Sequence, residues 1–91
     1  MRFILNEEQY NLVKKYVVPI LETSTKLIFD NDNLSIKAYS MSDLEDFIIS
    51  ADEAIIQFGM VNQDYLTELG CKLQWLYDEL IYQKHNQNQE I

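Results

Sequence analysis

The sequence from Ser40 to Gly59, SMSDLEDFIISADEAIIQFG, contains a helix whose two ends are both marked. Ser40 and Ser42 are both suitable N-caps, Ser42 begins the capping-box pattern Ser-Asp-Leu-Glu, and Gly59 suits a C-cap. Apolar residues recur between these ends at helical spacing. They are Leu44, Phe47, Ile48, Ala51, Ile55 and Phe58. The pattern predicts a helix that starts near Ser40 or Ser42 and buries one face in a core.

A second long helical pattern follows, from about Gln63 to Gln83. Its apolar stripe consists of Leu66, Leu69, Leu73, Leu76, Tyr77 and Leu80. The sequence beyond this pattern is polar, and we expect residues 85–91 to form a flexible polar tail. The globular domain is therefore predicted to cover residues 1–84.

An N-terminal helix precedes these two. Asn6 is a suitable N-cap, Gln9 completes a capping-box-like pattern, and Leu5 with Tyr10 can form a hydrophobic staple. Pro19 has no N–H group and disfavours helix at the residue before it. We expect the first helix to kink or end there.

Two short strands are predicted between the first helix and the second, at 25–29 and 34–39. The four residues 30–33, Asp-Asn-Asp-Asn, favour a turn that joins them as a hairpin. Two strands alone are marginal in water, so a helix must cover one face, and residues 1–5 are a candidate for a third strand. The sequence thus predicts a single small α+β domain, mostly helical, in the order helix, β-hairpin, helix, helix.

Charge limits the classes of partner. The 91 residues include 15 acidic and 7 basic ones, which gives a formal net charge of -8. Nucleic acids and anionic membranes both require basic residues on the protein, so we expect neither as a direct partner. The balance favours a protein with a basic surface, such as a toxin or a nuclease. Acidity that serves only solubility is the alternative.

The chain shows no sign of export. Cys71 is the only cysteine, so no intrachain disulfide can form. The apolar residues 3–5 are followed at once by Asn6-Glu7-Glu8, which is too short for the apolar region of a signal peptide. No apolar run approaches the ~18 residues that span a membrane. We expect a cytoplasmic protein.

The residues needed for nucleophilic or phosphate chemistry do not form a recognisable set. Gly59 and Gly70 are the only glycines, so no glycine-rich phosphate loop is present. Cys71 and His85, the only histidine, are separated by roughly 20 Å along a helix and cannot form a dyad. We expect no catalytic residues, no cofactor and no enzymatic activity.

A metal site is not predicted either. In the calcium-loop pattern that would start at Asp30, the positions that require Asp or Asn, Gly and Glu hold Leu34, Ser35 and Met41. A single histidine provides neither a two-histidine zinc site nor a Glu-x-x-His pair for iron. The clustered carboxylates near Asp43 would need an apolar pocket to act in acid–base catalysis, and the sequence indicates none.

Acidic residues concentrate on the second helix. No basic residue occurs between Lys37 and Lys72, whereas seven acids do. Those acids are Asp43, Glu45, Asp46, Asp52, Glu53, Asp64 and Glu68. At about 100° per residue, Glu45 lies above Asp52 and Asp46 above Glu53, with Ile49 and Ile56 among them, away from the core stripe. This face is a candidate partner-binding surface, and a merely solvated face is the alternative.

The third helix has apolar residues left over after its core stripe is complete. Trp75 lies almost opposite Leu66, and Cys71 and Tyr82 share its side of the helix. Three acids flank them: Glu68, Asp78 and Glu79. A helix that is apolar on two sides is either central in the fold or carries an interface. Trp and Tyr are frequent interface anchors, so we predict partner contacts here, with burial in the core as the alternative.

The sequence of residues 69–80, LGCKLQWLYDEL, resembles a helix of small acidic immunity proteins of bacterial toxin systems. Those proteins are similar to this chain in size, acidity and lack of catalytic residues. The frequent Asn, Ile and Lys residues also suit a bacterium or phage with an A/T-rich genome. The resemblance implies that the protein neutralises a partner toxin, and it assigns no individual residue.

Three functional hypotheses therefore follow from the sequence. The first is an immunity- or antitoxin-type inhibitor that covers a basic active surface of a toxin or enzyme. The second is a phage-encoded inhibitor whose acids imitate nucleic-acid phosphates and block a host defence nuclease. The third is a structural or regulatory subunit that forms a homodimer through Trp75 and Tyr82.

Overall fold

In the computed structural model, which describes residues 1–61 and 65–89 and side chains up to residue 87, helices pack against a three-stranded sheet. The elements in chain order are β1 (Arg2–Ile4), α1 (Glu7–Leu12), a π-helical segment (Val13–Val17), a 3-10 turn (Val18–Ile20), β2 (Leu27–Asp30), β3 (Ser35–Ala38), α2 (Met41–Phe58), β4 (Met60–Val61), β5 (Tyr65–Leu66) and α3 (Glu68–Gln89). The predicted class, a mostly helical α+β domain, is confirmed.

The first helix begins where the sequence predicts, and the helical segments that continue it end at the turn that contains Pro19. The Asn6 side chain accepts a hydrogen bond from the Gln9 N–H group (2.7 Å), and the Gln9 side chain accepts one from the Asn6 N–H group (3.2 Å). This capping box satisfies two N–H groups that a helix start leaves without partners. The helix widens into the π-helical segment and ends in the 3-10 turn that contains Pro19.

The sheet has the order β1-β3-β2 and is antiparallel throughout, so the third strand predicted at the N-terminus is present. β2 starts two residues later and ends one residue later than predicted, and β3 is one residue shorter than predicted at each end. The turn between them is closed by Asp30, whose carboxylate accepts hydrogen bonds from the N–H groups of Asp32 (3.1 Å) and Asn33 (3.2 Å). Leu34 adopts a left-handed conformation (φ 52°). The strand β3 therefore begins at Ser35, one residue later than predicted.

The helix α2 begins at Met41 with Ser40 as its N-cap, which decides between the two serines. The Ser40 hydroxyl accepts a hydrogen bond from the Asp43 N–H group (3.1 Å). Asp43 also accepts a hydrogen bond from the Lys26 N–H group (3.0 Å), and this bond ties the start of α2 to the strand β2 side of the hairpin. Asp43 therefore takes part both in the cap of α2 and in a tertiary contact with the residue before β2.

Phe58 departs from the predicted core stripe. It is 40% exposed, and its ring packs beside Tyr16 of the π-helical segment at a centroid distance of 5.4 Å. The last turn of α2 therefore extends past the core, and Phe58 packs at its edge.

The start predicted for the third helix is wrong. Strands β4 and β5 form a small antiparallel hairpin, and Leu66 belongs to β5 instead of the helical stripe. The predicted start, Gln63, lies outside the described residues, as does Asp64. The helix α3 begins at Glu68 because the Thr67 hydroxyl accepts a hydrogen bond from the Gly70 N–H group (3.0 Å), as an N-cap does. It continues to Gln89, through most of the predicted tail, whose flexibility stays a prediction.

One hydrophobic core joins all the major elements. Its aromatic centre is an edge-on pair of rings, Phe3 of β1 and Phe47 of α2, 5.5 Å apart. The buried apolar residues are Phe3, Leu5, Tyr10, Leu12, Val13, Val17, Ile36, Ala38, Leu44, Phe47, Ile48, Ala51, Ala54, Ile55, Leu73, Leu76 and Leu80. The predicted stripe of α2 is confirmed apart from Phe58, and the stripe of α3 is fully buried at its last three leucines.

The end of α2 and the start of α3 meet backbone to backbone at Gly59 and Gly70. A Cβ atom on Gly70 would overlap with the Gly59 carbonyl group, and one on Gly59 would lie 2.8 Å from the Ile55 carbonyl oxygen. Thr67 fixes the contact, because its N–H group (2.8 Å) and its hydroxyl (3.1 Å) both donate to the Gly59 carbonyl oxygen. The two glycines are needed here for close approach.

We expect Gly70→Ala to lower the free energy of unfolding by roughly 1–3 kcal/mol or more, because the added methyl group meets main-chain atoms that no rotamer can move. Cys71→Ala is the matched control, since Cys71 is exposed on the same helical turn and its loss should change stability by about 0.5 kcal/mol or less. Thermal and urea unfolding of both variants measure this. Equal stability of the two variants would contradict the contact.

We expect Asp43→Asn to lower the melting temperature at pH 7. Below about pH 4 the melting temperature of the variant should approach that of the parent. Hydrogen bonds from the Lys26 N–H group and from Ser40 lower the pKa of Asp43 in the folded protein. A lowered folded pKa adds stability above the unfolded pKa, and this stability is lost as the pH falls through the folded pKa.

Melting curves of Asp43→Asn from pH 7 to pH 2 measure the effect. Asp52→Asn is the control, because Asp52 is exposed on the outer side of the same helix. A deficit of Asp43→Asn that stays constant over this pH range would show that the charge of Asp43 has no part in folding.

Candidate partner-binding surface

The outer side of α2 carries five of the predicted partner-binding residues, which we call the α2 acidic face. They are Glu45, Ile49, Asp52, Glu53 and Ile56, and all five are exposed. The core residues of α2 lie on the opposite side of the helix, as the 100° spacing requires. The two isoleucines are 63% and 51% exposed, so they add nothing to the core and leave apolar surface among carboxylates.

The acids of α2 divide into two groups. Asp43 and Asp46 serve the fold. The Asp43 carboxylate accepts hydrogen bonds from the Ser40 hydroxyl (2.9 Å) and the Lys26 N–H group (3.0 Å), and Asp46 accepts one from the Thr25 hydroxyl (3.3 Å). Among the described residues, the side chains of Glu45 and Asp52 form no hydrogen bond or ion pair with another group. Glu53 accepts only a long bond (3.4 Å) from Gln57, one helical turn further on. The α2 acidic face therefore holds the acids that folding does not use.

The outer side of α3 carries the other predicted residues, which we call the α3 back face. They are Glu68, Cys71, Trp75, Asp78, Glu79 and Tyr82. Trp75 is 46% exposed and Tyr82 is 63% exposed, so the structure decides against burial of either ring in the core. Leu73, Leu76 and Leu80 occupy the buried side of the same helix. Trp75 is thus a side chain that the core does not require.

Two of the acids on the α3 back face have local partners. Asp78 accepts a hydrogen bond from the Gln74 side chain (3.1 Å). Glu79 is half-buried and accepts one from Gln83 (3.3 Å), which in turn bonds to β1. Glu79 therefore lies at the margin of the α3 back face, on the side of the helix that faces β1.

The structure places the two faces on neighbouring helices that pack along each other from the Gly59–Gly70 contact onward. No hydrogen bond, ion pair or aromatic contact within residues 1–61 and 65–87 joins one face to the other. They are two separate surface patches, each continuous along its own helix. A partner that contacts both must cover the outer sides of the α2–α3 pair.

A groove between α1 and α3 is not indicated by any pattern in the sequence. This open depression has a volume of about 630 Å³ and is bridged by an ion pair between Lys72 and Glu8 at 3.4 Å. Its lining residues are Glu7, Glu8, Asn11, Leu12, Lys15, Tyr16, Leu69 and Lys72. These residues come from two segments far apart in the chain, so no local pattern could reveal them. Charges of both signs line the groove, which points to no single kind of ligand.

The chemistry available on these surfaces is limited. Cys71 and His85 lie 14 residues apart on α3, which separates them by roughly 20 Å. No group of three or more metal-ligating side chains occurs within the described part of the chain. In the same part, no helix is both long and apolar enough to cross a membrane. What the surface offers a ligand is exposed apolar side chains surrounded by carboxylates.

Comparison with known proteins assigns no family: no family model, curated protein or solved structure matches the chain. The resemblance of residues 69–80 to immunity proteins therefore stays a hypothesis. Any functional proposal must rest on the surface itself.

Proposed function

We propose that the protein is a non-enzymatic binding protein of the immunity or antitoxin type, which covers a basic surface of a toxin or enzyme with the outer sides of α2 and α3. The observation that carries the proposal is the exposure of Trp75 (46%), Tyr82 (63%) and Ile49 (63%) on surfaces lined by acids. Single exposed apolar residues are ordinary, but a repeated set on a charged surface is typical of an interaction site.

The mixture of side chains matches what protein interfaces use. Interfaces concentrate their affinity in a few aromatic or aliphatic anchors, and polar groups around these exclude water. Trp75 is the largest anchor on the α3 back face, and Ile49 and Ile56 are smaller ones on the α2 acidic face. All three are held by helices whose opposite sides are buried, so the main chain that carries them loses little conformational freedom when a partner binds.

Charge supports a basic partner. The α2 acidic face contains three carboxylates, and the helix that carries it contains no lysine or arginine. An uncompensated field of this kind speeds the approach of a positively charged surface and opposes that of a negatively charged one. Covering a basic active surface requires no chemistry from the inhibitor, in agreement with the expectation of no catalytic residues.

The test is capture of the partner from the native host with immobilised protein, followed by identification of the bound proteins. Support requires a protein with a basic surface that the parent retains and the surface variants described below lose. A captured nuclease that nucleic acid displaces would assign the phosphate-imitating mode of inhibition. If the parent retains no protein that the variants lose, the proposal fails.

We expect Trp75→Ala to weaken partner binding by about 2 kcal/mol or more, which is about 30-fold in Kd, if Trp75 is a hot spot. The variant should remain folded because the indole is half exposed. Calorimetry of the captured complex measures the affinity, and a melting curve measures stability. Tyr65→Ala is the matched control, since Tyr65 is an exposed aromatic residue (65%) outside both faces. Equal loss of affinity in both variants would remove Trp75 as an anchor.

We expect the double variant Asp52→Lys with Glu53→Lys to slow association while dissociation changes little. The effect should shrink as salt is raised, because exposed charges are screened. Glu22→Lys with Asp32→Lys is the control, since it makes the same change in net charge at exposed positions away from α2. Association rates at two salt concentrations compare the pairs. A slowdown of equal size in both would mean that only the total charge matters.

A further inference from the structure

The strand β1 is at one edge of the sheet, and the direction of its main-chain groups follows from its register. Phe3 is opposite Ile36, the Leu5 N–H group donates to the Leu34 carbonyl oxygen (3.0 Å), and the Met1 carbonyl oxygen accepts from the Ala38 N–H group (3.0 Å). Alternate residues of a strand direct these groups to opposite sides. The N–H and C=O groups of Arg2 and Ile4 therefore point away from β3, towards the open edge.

Side chains from α3 occupy that edge. The Gln83 carboxamide accepts a hydrogen bond from the Ile4 N–H group (2.9 Å) and donates one to the Ile4 carbonyl oxygen (2.7 Å). The Gln87 carboxamide donates to the Arg2 carbonyl oxygen (2.7 Å). Since a carboxamide has the same donor and acceptor as a peptide group, Gln83 provides Ile4 with both bonds of a neighbouring strand.

This cover is weaker than a real strand. Each side-chain hydrogen bond makes only a small net contribution to stability, and each glutamine must be held in one rotamer to make it. Proteins commonly protect edge strands, because open edges recruit further strands. Replacing the two carboxamides would remove these bonds to Arg2 and Ile4 without involving any bond between β1 and β3.

We propose that the outer edge of β1 is a strand-addition surface for β1 of a second copy of this chain, held closed by Gln83 and Gln87. An antiparallel pair centred on Phe3 places Arg2 of each copy opposite Ile4 of the other. All the outward main-chain groups are then paired, in an interface that is the same for both copies. This register also keeps the two arginines apart and packs Ile4, which is 66% exposed, against the apolar stem of Arg2.

The experiment is a comparison of solution masses over a range of concentrations for the parent and the double variant Gln83→Leu with Gln87→Leu. We expect the variant to approach twice 10.8 kDa at concentrations where the parent has a lower mean mass. The control is Gln57→Leu with Gln74→Leu, which adds the same apolar surface at two sites away from β1, and its mass should equal that of the parent.

A third change tests the geometry. Ile4→Pro removes an N–H group that points away from β3, a position where an edge strand tolerates proline. Added to the double leucine variant, it should restore the mass of the parent. Equal masses for the parent and the double leucine variant would overturn the inference. So would an increased mass that persists with Ile4→Pro, because association would then proceed through the leucines or through Trp75 and Tyr82.

Discussion

The contact between the main chains of Gly59 and Gly70 is the constraint on which the rest of the helical layer depends. No side chain separates the two helices there, and Thr67 joins both glycines through its N–H group and its hydroxyl. The start of α3 is thereby fixed against the end of α2. With its origin fixed, α3 can direct Leu73, Leu76 and Leu80 into the core along its whole length. The residues on its other side, Trp75 among them, are then necessarily left outside.

Burial on one side of each helix also explains how the acidic residues are distributed. Asp43 and Asp46 lie on the side of α2 that meets the chain before β2, and hydrogen bonds from Lys26 and Thr25 hold them there. Glu45 and Asp52 lie on the side that meets solvent, where no group of the described chain binds them. The acidic residues behind the net charge of -8 therefore differ in what they do in the structure. Asp43 and Asp46 take part in the fold, whereas the carboxylates of Glu45 and Asp52 face solvent.

Local signals predicted most of the fold, and they placed the residues of the α2 acidic face and of the α3 back face on one side of each helix. Caps and apolar spacing placed the start of α1 and both ends of α2 within a residue or two, because both signals act over one or two helical turns. The hairpin of β4 and β5 was missed because Leu66 continues the helical spacing of Leu69 and Leu73. The pairing of Gln83 with Ile4 joins residues 79 positions apart, and the groove beside Lys72 likewise depends on two distant segments. Such contacts follow from packing, which spacing along the chain does not encode.

The α2 acidic face and the edge of β1 differ in the partner that they can accept. Carboxylates surround the apolar residues of the α2 acidic face, so a second copy that approached with the same face would be repelled. That repulsion opposes self-association through the exposed isoleucines, and the partner proposed for this face carries the opposite charge. The edge of β1 presents Ile4 and a single positive charge on Arg2, and charge alone does not prevent two such edges from meeting. A side-chain cover is the protection that remains for this edge, and α3 supplies it from the same helix that presents Trp75 on its other side.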